Sequence, residues 1–229
     1  MTGSFDWHKE AEVQWDGRAG FWNERSKKMW DDGSRKDILP FIESHLQKGS
    51  SILDIGCGDG YGTYRLHKSG YDATGMDLSK EMINKAKSRL DENEIGFFQG
   101  DISGMPFDNA SFNAVMAINV LEWTENPGAA LSELHRVLKK DGTLYAGILG
   151  PAAGPRANSY PRLHGEKAIC NTMMPWEFQK LAADFNFTYV DGFGVYKEGV
   201  KQHHHQGLPL DLKQALSFLW VFKLHKEGE

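Results

Sequence analysis

A short stretch at residues 51–60, Ser-Ile-Leu-Asp-Ile-Gly-Cys-Gly-Asp-Gly, carries residue types suited to binding a nucleotide-like ligand. The glycines at 56, 58 and 60 allow the backbone to turn tightly and to approach a ligand without a Cβ in the way. Helical residues follow, and the free N–H groups of a helix N-terminus favour an anionic group. Asp54, last but one in the apolar run before the turn, is expected to point its carboxylate into the same crevice.

Three further polar side chains, Asp77, Asp101 and Asn119, follow apolar stretches downstream of this loop. Asp77 lies roughly 20 residues beyond the glycines, the spacing at which nucleotide-binding βαβ units place an acidic residue on the ribose hydroxyls. One carboxylate accepts two hydroxyl hydrogen bonds at once, which explains the residue type. The alternative for Asp77 is a helix cap, for which Ser79 is better placed.

The elements that must position these residues follow from the hydrophobic pattern. Apolar runs predict strands at 51–55, 71–76, 95–99, 112–118, 143–149, 187–196 and 215–224. Helices are predicted between them, among them one at about 34–46 capped by Ser34 and one that starts at Asn126-Pro127. The alternation indicates a doubly wound, Rossmann-like α/β fold with helices on both faces of the sheet. In such a sheet the ligand crevice lies outside the carboxyl ends of the strands, where the four polar residues would meet.

The glycine spacing distinguishes two classes of cofactor. Counted from Gly56, the Gly-x-Gly-x-x-Gly pattern of nicotinamide-binding folds fails, because its sixth position is Tyr61. The pattern present, Gly-x-Gly-x-Gly behind an acidic strand end, resembles motif I of the class I S-adenosylmethionine-dependent methyltransferases. Residues 136–142, Arg-Val-Leu-Lys-Lys-Asp-Gly, resemble the Arg-x-Leu-Lys-x-x-Gly helix end of the type 11, ubiquinone/menaquinone methyltransferase-like family. The resemblance runs from Ser51 to about Gly147, and the C-terminal part is similar to the rest of that fold, including its antiparallel last strand.

This resemblance implies a role for each part of the loop system. The glycine loop approaches the methionine part of S-adenosylmethionine, and Asp77 holds the ribose. Asp101 and Ile102 bind the adenine, with an apolar face from Leu78, and Asn119 lies near the sulfonium. The predicted cofactor-binding residues are Asp54, Gly56, Cys57, Gly58, Asp77, Leu78, Asp101, Ile102 and Asn119. No metal site is predicted, because the run 203–205 of three histidines would place adjacent side chains on opposite faces of an extended chain.

The implied reaction is the in-line transfer of a methyl group to an unidentified small-molecule acceptor, which asks the protein mainly to hold both partners in line in a dry pocket. Catalytic residues stay unassigned, with Glu122, His164 and residues 203–205 as candidate bases. Many relatives carry His where this chain has Trp123, so a role of that histidine does not transfer. Two alternatives stay open: an S-adenosylmethionine-binding sensor or partner subunit without transferase activity, and an NAD-type Rossmann oxidoreductase.

The N-terminal residues 1–33 are polar and rich in tryptophan, with Trp15, Trp22 and Trp30 about two helical turns apart. We expect an aromatic helical segment, which either covers the ligand as a lid or packs on the domain. Residues 34–229 then form the methyltransferase domain, with cap loops inserted at about 150–172 and 197–214.

Composition limits the remaining possibilities. The 229 residues, 40% hydrophobic and 25% charged, suit one large globular domain. A net charge of −5 disfavours a nucleic-acid partner, and we interpret the basic residues Lys27, Lys28, Arg35 and Lys36 as a solvated helix face. We predict a cytoplasmic protein without a membrane partner, because the sequence has two distant cysteines, no signal segment and no apolar run of membrane-span length. The oligomeric state is not predicted.

Overall fold

The centre of the molecule is a seven-stranded sheet. The structure is a computed structural model and describes residues 5–89 and 95–228. The strands are β1 (Ser51–Ile55), β2 (Asp72–Asp77), β3 (Gly96–Gln99), β4 (Phe112–Ile118), β5 (Leu138–Leu149), β6 (Phe187–Val195) and β7 (Leu219–Lys226). Their order across the sheet is β3-β2-β1-β4-β5-β7-β6. The first five strands run parallel, and β7 is antiparallel to both β5 and β6, which confirms the predicted fold class.

Helices cover both faces of this sheet. They are α1 (Trp7–Asp31), α2 (Ile38–Glu43), α3 (Tyr61–Lys68), α4 (Lys80–Arg89), α5 (Pro127–Val137), α6 (Pro175–Asp184), α7 (Gln202–His205) and α8 (Leu210–Leu216). Two 3-10 helices occur at Leu121–Trp123 and Gly154–His164. Among the described residues, no helix combines the length and apolarity that crossing a bilayer requires.

The alternation of side chains along the central strands divides the core into two layers. Leu53 and Ile55 of β1 pack with α5 and α6 on one face of the sheet. Ile52, from the same strand, packs with α2 and α3 on the other face. Strands buried on both faces read as continuous apolar runs, which is why the pattern at 51–55 was a reliable strand signal. Between β1 and β4 the strand order reverses, and a doubly wound sheet opens its ligand crevice at this point.

Several predicted bounds were wrong, each for a local reason. The helix expected at 34–46 is only α2, because residues 34–37 form turns and Asp37 precedes the helix without a side-chain cap. The predicted strand at 215–224 starts later, because Ala215 and Leu216 are the last residues of α8 and Ser217 closes that helix with a hydrogen bond from its hydroxyl to the carbonyl of Gln214. The two cap loops are not irregular throughout: they contain a 3-10 helix and the short helices α7 and α8.

Candidate functional site

The glycine loop after β1 forms the floor of a cavity at the carboxyl ends of the strands. Gly56 has a φ of +66°, and its N–H donates to the carbonyl of Met76 at 2.8 Å. A Cβ built on Gly56 would lie 1.9 Å from Cγ2 of Val120, so no other residue fits there. Gly58 has a φ of +56° and faces more open space, and both glycines line the cavity together with Cys57.

Asp77 ends β2 directly beside this loop. Its Oδ2 accepts the N–H of Gly58 at 2.8 Å, and its Oδ1 accepts the N–H of Ser79 at 2.9 Å. Burial raises the pKa of Asp77 to about 6, more than these two backbone donors offset. Each oxygen keeps a free lone pair, so the carboxylate can still accept hydroxyl groups from the cavity. Ser79 is the helix cap, since its Oγ accepts the N–H of Met82 at 3.1 Å.

Asp54 does not face the cavity, contrary to expectation. It is only 3% exposed, and its Oδ2 accepts the hydroxyl of Thr63 in α3 at 2.7 Å. The cause is strand alternation: residue 54 points to the same face as Ile52, which is the face that α3 covers. Burial raises the pKa of Asp54 to about 7. We therefore expect Asp54 to stabilise the glycine loop through its contact with α3 and not to contact a ligand directly.

The residues predicted to hold an adenine lie together at the β3 end of the cavity. Leu78, Asp101 and Ile102 all line its wall. The Oδ1 of Asp101 accepts the N–H of Ser103 at 2.8 Å, while its Oδ2 pairs with Nδ1 of His8 at 2.5 Å. His8 belongs to α1, so this helix reaches the wall that the sequence assigned to the adenine.

Asn119 closes β4 in the left-handed conformation, with a φ of +58°. Its N–H donates to Gly147 at 2.9 Å, and its carbonyl accepts the indole N–H of Trp123 at 2.8 Å. The side-chain Nδ2 is buried and makes no hydrogen bond of normal geometry in the part of the chain that the structure describes, although it lies close enough to the Glu122 carboxylate to lower the pKa of that group. A buried donor without a partner costs free energy, and a ligand atom in the adjoining cavity would satisfy it.

Arg35 is a cavity-lining residue that sequence reasoning missed. We interpreted it as part of a solvated basic face, but its side chain lines the cavity near Asp54 and Asp59. Its guanidinium lies over the Trp30 ring, 5.6 Å from the centroid, and none of its N–H groups has a hydrogen-bond acceptor among the described residues. Burial lowers the pKa of Arg35, and the nearby carboxylates of Asp54 and Asp59 oppose this shift. No local motif marks this position, because only the tertiary fold brings it to the glycine loop.

Helix α1 forms the roof of the cavity over its 25 residues. Four of its tryptophans, Trp7, Trp15, Trp22 and Trp30, line the cavity. Polar side chains fix the helix to the strand-end loops, since Asp16 accepts the hydroxyl of Ser79 and Asp59 accepts the hydroxyl of Ser26, both at 2.5 Å. The cap segments contribute less than expected: Pro155 is the single cavity residue from 150–172, and none comes from 197–214 within the described chain.

None of the candidate bases lines the cavity, and they lie in three different parts of the described chain. Glu122 is fully buried behind the cavity wall, where its Oε1 accepts the N–H of Leu149 at 2.6 Å, and burial raises its pKa. His164 is exposed and contacts the ring of Tyr160. Residues 203–205 form the helical turn α7 instead of an extended chain, away from the cavity. Within the described residues no three His, Cys, Asp or Glu side chains cluster in a way that would hold a metal ion.

Comparison with known proteins adds to this geometry. Residues 53–146 match the type 11 family model described as a methyltransferase domain. The bifunctional biotin biosynthesis protein BioHC of Teredinibacter turnerae is 30% identical over 59% of this chain and 26% of its own length. The demethylmenaquinone methyltransferase of Chlamydia felis is 32% identical over 57% of this chain and 56% of its own. The methyltransferase solved with the Trm112 activator of Haloferax volcanii superposes with a TM-score of 0.75, at 19% identity, over 96% of this chain and 99% of that one.

The fold and the strand-end site define the class: the protein has the Rossmann-like fold of the class I methyltransferases. The match of residues 53–146 to the type 11 methyltransferase domain model confirms the resemblance seen in the glycine loop. This chain spans only part of the length of the curated relatives that it matches.

Proposed function

We propose that this protein is an S-adenosylmethionine-dependent methyltransferase that acts on a small molecule in the cavity beneath α1. The proposal depends on one observation, the polar groups that the fold leaves available around the cavity: Arg35, Asn119 and the free lone pairs of Asp77. S-adenosylmethionine carries the complementary groups, namely a carboxylate for a guanidinium and two ribose hydroxyls for a carboxylate. Asp101 offers an acceptor for its adenine amino group.

The residues of this chain would contribute positioning rather than bond chemistry. When bound, the cofactor supplies a methyl group on an electron-poor sulfur, which makes transfer favourable. Arg35 and Asp77 would fix the two ends of the cofactor, and Asn119 would fix the side from which the acceptor approaches. The tryptophans of α1 exclude water, and such exclusion and alignment supply most of what an in-line displacement requires.

We also propose that α1 is the lid of the site. The helix contacts the loops after β1, β2 and β3 through Ser26, Asp16 and His8, so it covers each cofactor-binding loop. We infer that these three contacts open when a nucleoside-sized ligand enters or leaves. Entry and exit of the cofactor would therefore require α1 to move.

The role of Arg35 gives a test that does not depend on the acceptor. Replacing Arg35 with Gln removes the cation, so S-adenosylhomocysteine should bind roughly 10- to 100-fold more weakly. The affinity for 5′-methylthioadenosine, which keeps the nucleoside but lacks the amino-acid part, should be unchanged. Calorimetry with both ligands measures the difference, and Lys36→Gln, the exposed neighbour, is the matched control. Equal losses for both ligands would show that Arg35 supports the fold instead of holding a carboxylate.

A second measurement separates an enzyme from a sensor. The purified protein, incubated with methyl-labelled S-adenosylmethionine and a small-molecule cell extract, should release S-adenosylhomocysteine and transfer the label to an extractable compound. Tight cofactor binding without transfer to any fraction of the extract would support the sensor alternative.

A further inference from the structure

A row of polar side chains attaches helix α1 to the wall of the cavity. Three of them lie one helical turn apart on one face of the helix: His8, Glu12 and Asp16. The first lies with its Nδ1 at 2.5 Å from Oδ2 of Asp101. The second accepts a side-chain N–H of Gln99 at 2.9 Å, and the third accepts the hydroxyl of Ser79 at 2.5 Å. These partners lie at the ends of β2 and β3, so the row runs along the part of the wall that carries the predicted adenine residues.

The contact of His8 differs from the other two because its partner, Asp101, is itself a predicted ligand-binding side chain. An ionised carboxylate can only accept hydrogen bonds, so Nδ1 of His8 is the donor. The second oxygen of Asp101 accepts the N–H of Ser103, two residues further along the chain, at 2.8 Å. Within the part of the chain that the structure describes, no other hydrogen bond reaches this carboxylate. His8 is therefore its long-range partner, and the two contacts together hold the carboxylate in one orientation.

The carboxylate of Asp101 stays accessible to a ligand while His8 holds it. The side chain of Asp101 lines the cavity and is 33% exposed. A carboxylate has about four acceptor positions, so each oxygen keeps one lone pair after His8 and Ser103 have donated. These positions accept an amino group, such as that of adenine, and they repel a carbonyl oxygen, such as the one that hypoxanthine carries in its place.

The orientation of this carboxylate determines how strongly it distinguishes the two bases. A carboxylate that rotates freely can turn away from a base without a donor, and it loses rotational freedom when it binds a base with one. A carboxylate that is already held in the bound orientation avoids this loss and cannot turn away. The contact with His8 therefore increases both the affinity for an amino-bearing base and the discrimination against its oxo analogue.

We propose that His8 is a positioning residue, which holds the Asp101 carboxylate in the orientation that selects a purine with an amino group. The proposal rests on the proposed function, since it requires a nucleoside at this wall. Because His8 belongs to α1, recognition of the base is coupled to the position of this helix: the closed helix favours the amino-bearing base, and by linkage that base favours the closed helix.

Two ligands that differ at one position of the base test this role. S-adenosylhomocysteine carries the amino group, and S-inosylhomocysteine carries a carbonyl oxygen in its place. In calorimetry with the full chain, the unaltered protein should bind S-adenosylhomocysteine about tenfold or more tightly than the oxo analogue.

Replacing His8 should lower this preference. His8→Ala should weaken S-adenosylhomocysteine roughly three- to tenfold, because the carboxylate is no longer held. It should leave the affinity for S-inosylhomocysteine within about a factor of two, since an exposed contact of this kind contributes little to the fold. His8→Asn, whose Nδ2 can donate from nearly the position of Nδ1, should restore the preference. Lys9→Ala, at the exposed neighbour outside the cavity, is the control and should change neither affinity.

A double variant shows whether His8 acts through Asp101. Asp101→Ala should lower the preference by itself, and adding His8→Ala to it should not change the preference further. A further change in the double variant would mean that His8 acts by another route and would contradict the proposal.

Three results with His8→Ala alone would also overturn the proposal. Equal losses for both ligands would mean that His8 only holds α1 in place, and tighter binding of S-adenosylhomocysteine would mean that His8 blocks Asp101. An unchanged preference would leave His8 without a role at this site, and a preference in His8→Asn as low as in His8→Ala would show that the hydrogen bond is not the cause. If S-adenosylhomocysteine fails to bind the unaltered protein, the proposed function itself is wrong and this proposal fails with it.

Discussion

Asp77 combines two tasks in one carboxylate. It orders the glycine loop by accepting the N–H of Gly58, and its remaining lone pairs face the cavity. The first task explains why the residue is acidic even without ligand, and the second gives it a direct part in binding. An aspartate at this position is therefore expected to matter more for the cofactor than for the fold.

Replacing Asp77 with Ala tests this division. We expect the dissociation constant of S-adenosylhomocysteine to rise on the order of tenfold to a few hundredfold, because two charge-assisted hydrogen bonds are lost and partly replaced by water. Calorimetry gives the affinity, and circular dichroism confirms that the variant is folded. Asp72→Ala, exposed at the other end of β2, is the control and should bind normally. An unchanged affinity in folded Asp77→Ala would show that Asp77 is only a turn residue.

The same carboxylate predicts a pH dependence of binding. Burial holds the pKa of Asp77 at about 6 in the ligand-free protein. Hydroxyl groups donate best to the ionised form, so the affinity for S-adenosylhomocysteine should rise as the pH increases from 5 to 7 and then level off. Asp77→Asn cannot ionise and should show a flat profile over this range. A parallel rise in both proteins would place the titrating group elsewhere.

At the residue scale, sequence reasoning was most effective where the chain itself supplied a spacing. The interval between the glycine loop and Asp77 is set by one βαβ unit, so it was readable directly. Arg35 had no such signal, because only the tertiary fold brings it to the glycine loop. Asp54 was wrongly expected in the cavity, although counting the alternation from Ile52 would have sent it to the α3 face.

At the scale of elements, α1 is the unit on which access to the site depends. Of the two large core clusters, only the second contains a residue of this helix, Trp30. The helix also packs along α4 and α3, and it reaches the loops around the cavity through Ser26, Asp16 and His8. The helix can therefore open at a lower cost than any strand, as expected of a lid.

Deleting residues 1–25 tests the lid and keeps Ser26 and Trp30. The truncated protein should still unfold cooperatively, with its far-ultraviolet circular dichroism reduced only by the deleted part of α1, and S-adenosylhomocysteine should dissociate at least about tenfold faster in stopped-flow measurements. Val13→Ser, on the exposed side of α1, is the control and should leave the rate unchanged. If truncation leaves the dissociation rate unchanged, α1 only packs on the domain and is not a lid.

Helices and strands were predictable where a single sequence pattern, such as a continuous apolar run or a helix-start signal, dominated the segment. Continuous apolar runs located β1 and β4, and Asn126-Pro127 marked the start of α5, where the side chain of Asn126 accepts the N–H of Ala129 at 3.0 Å. The segments 150–172 and 197–214 lacked a period, so their short helices were not foreseen. Such helices are fixed by tertiary contacts, for example the guanidinium of Arg156, which donates to the carbonyls of Gly150 and Thr172.

At the scale of the whole molecule, the site imposes a cost on the fold. Asp54 is fully enclosed beneath the glycine loop, and its pKa of about 7 lies well above the 3.8 of an ordinary aspartate. Because the folded state raises this pKa, the contribution of Asp54 to stability is complete below about pH 4 and is lost as the pH rises towards 7. At neutral pH the protein without ligand therefore lacks this contribution to its folding stability.

Asp54→Asn tests that cost. Asn is neutral at every pH and can still accept the hydroxyl of Thr63, so between pH 5 and 8 the unaltered protein should lose more stability than the variant, by on the order of 2 kcal/mol. Urea unfolding without ligand at several pH values measures the difference. Asp72→Asn, at an exposed site, should follow the unaltered protein. Parallel stability curves for Asp54→Asn and the unaltered protein would contradict the assignment.

The central claim is that the cavity at the strand ends is built for S-adenosylmethionine and not for a dinucleotide. Calorimetry of the full chain with S-adenosylmethionine, S-adenosylhomocysteine and NAD tests it most directly. The polar groups at Arg35, Asp77 and Asp101 predict saturable binding of the first two ligands at one site, and the missing third glycine at Tyr61 predicts no binding of NAD. Tight binding of NAD, with no heat from either sulfur-containing ligand, would contradict the account.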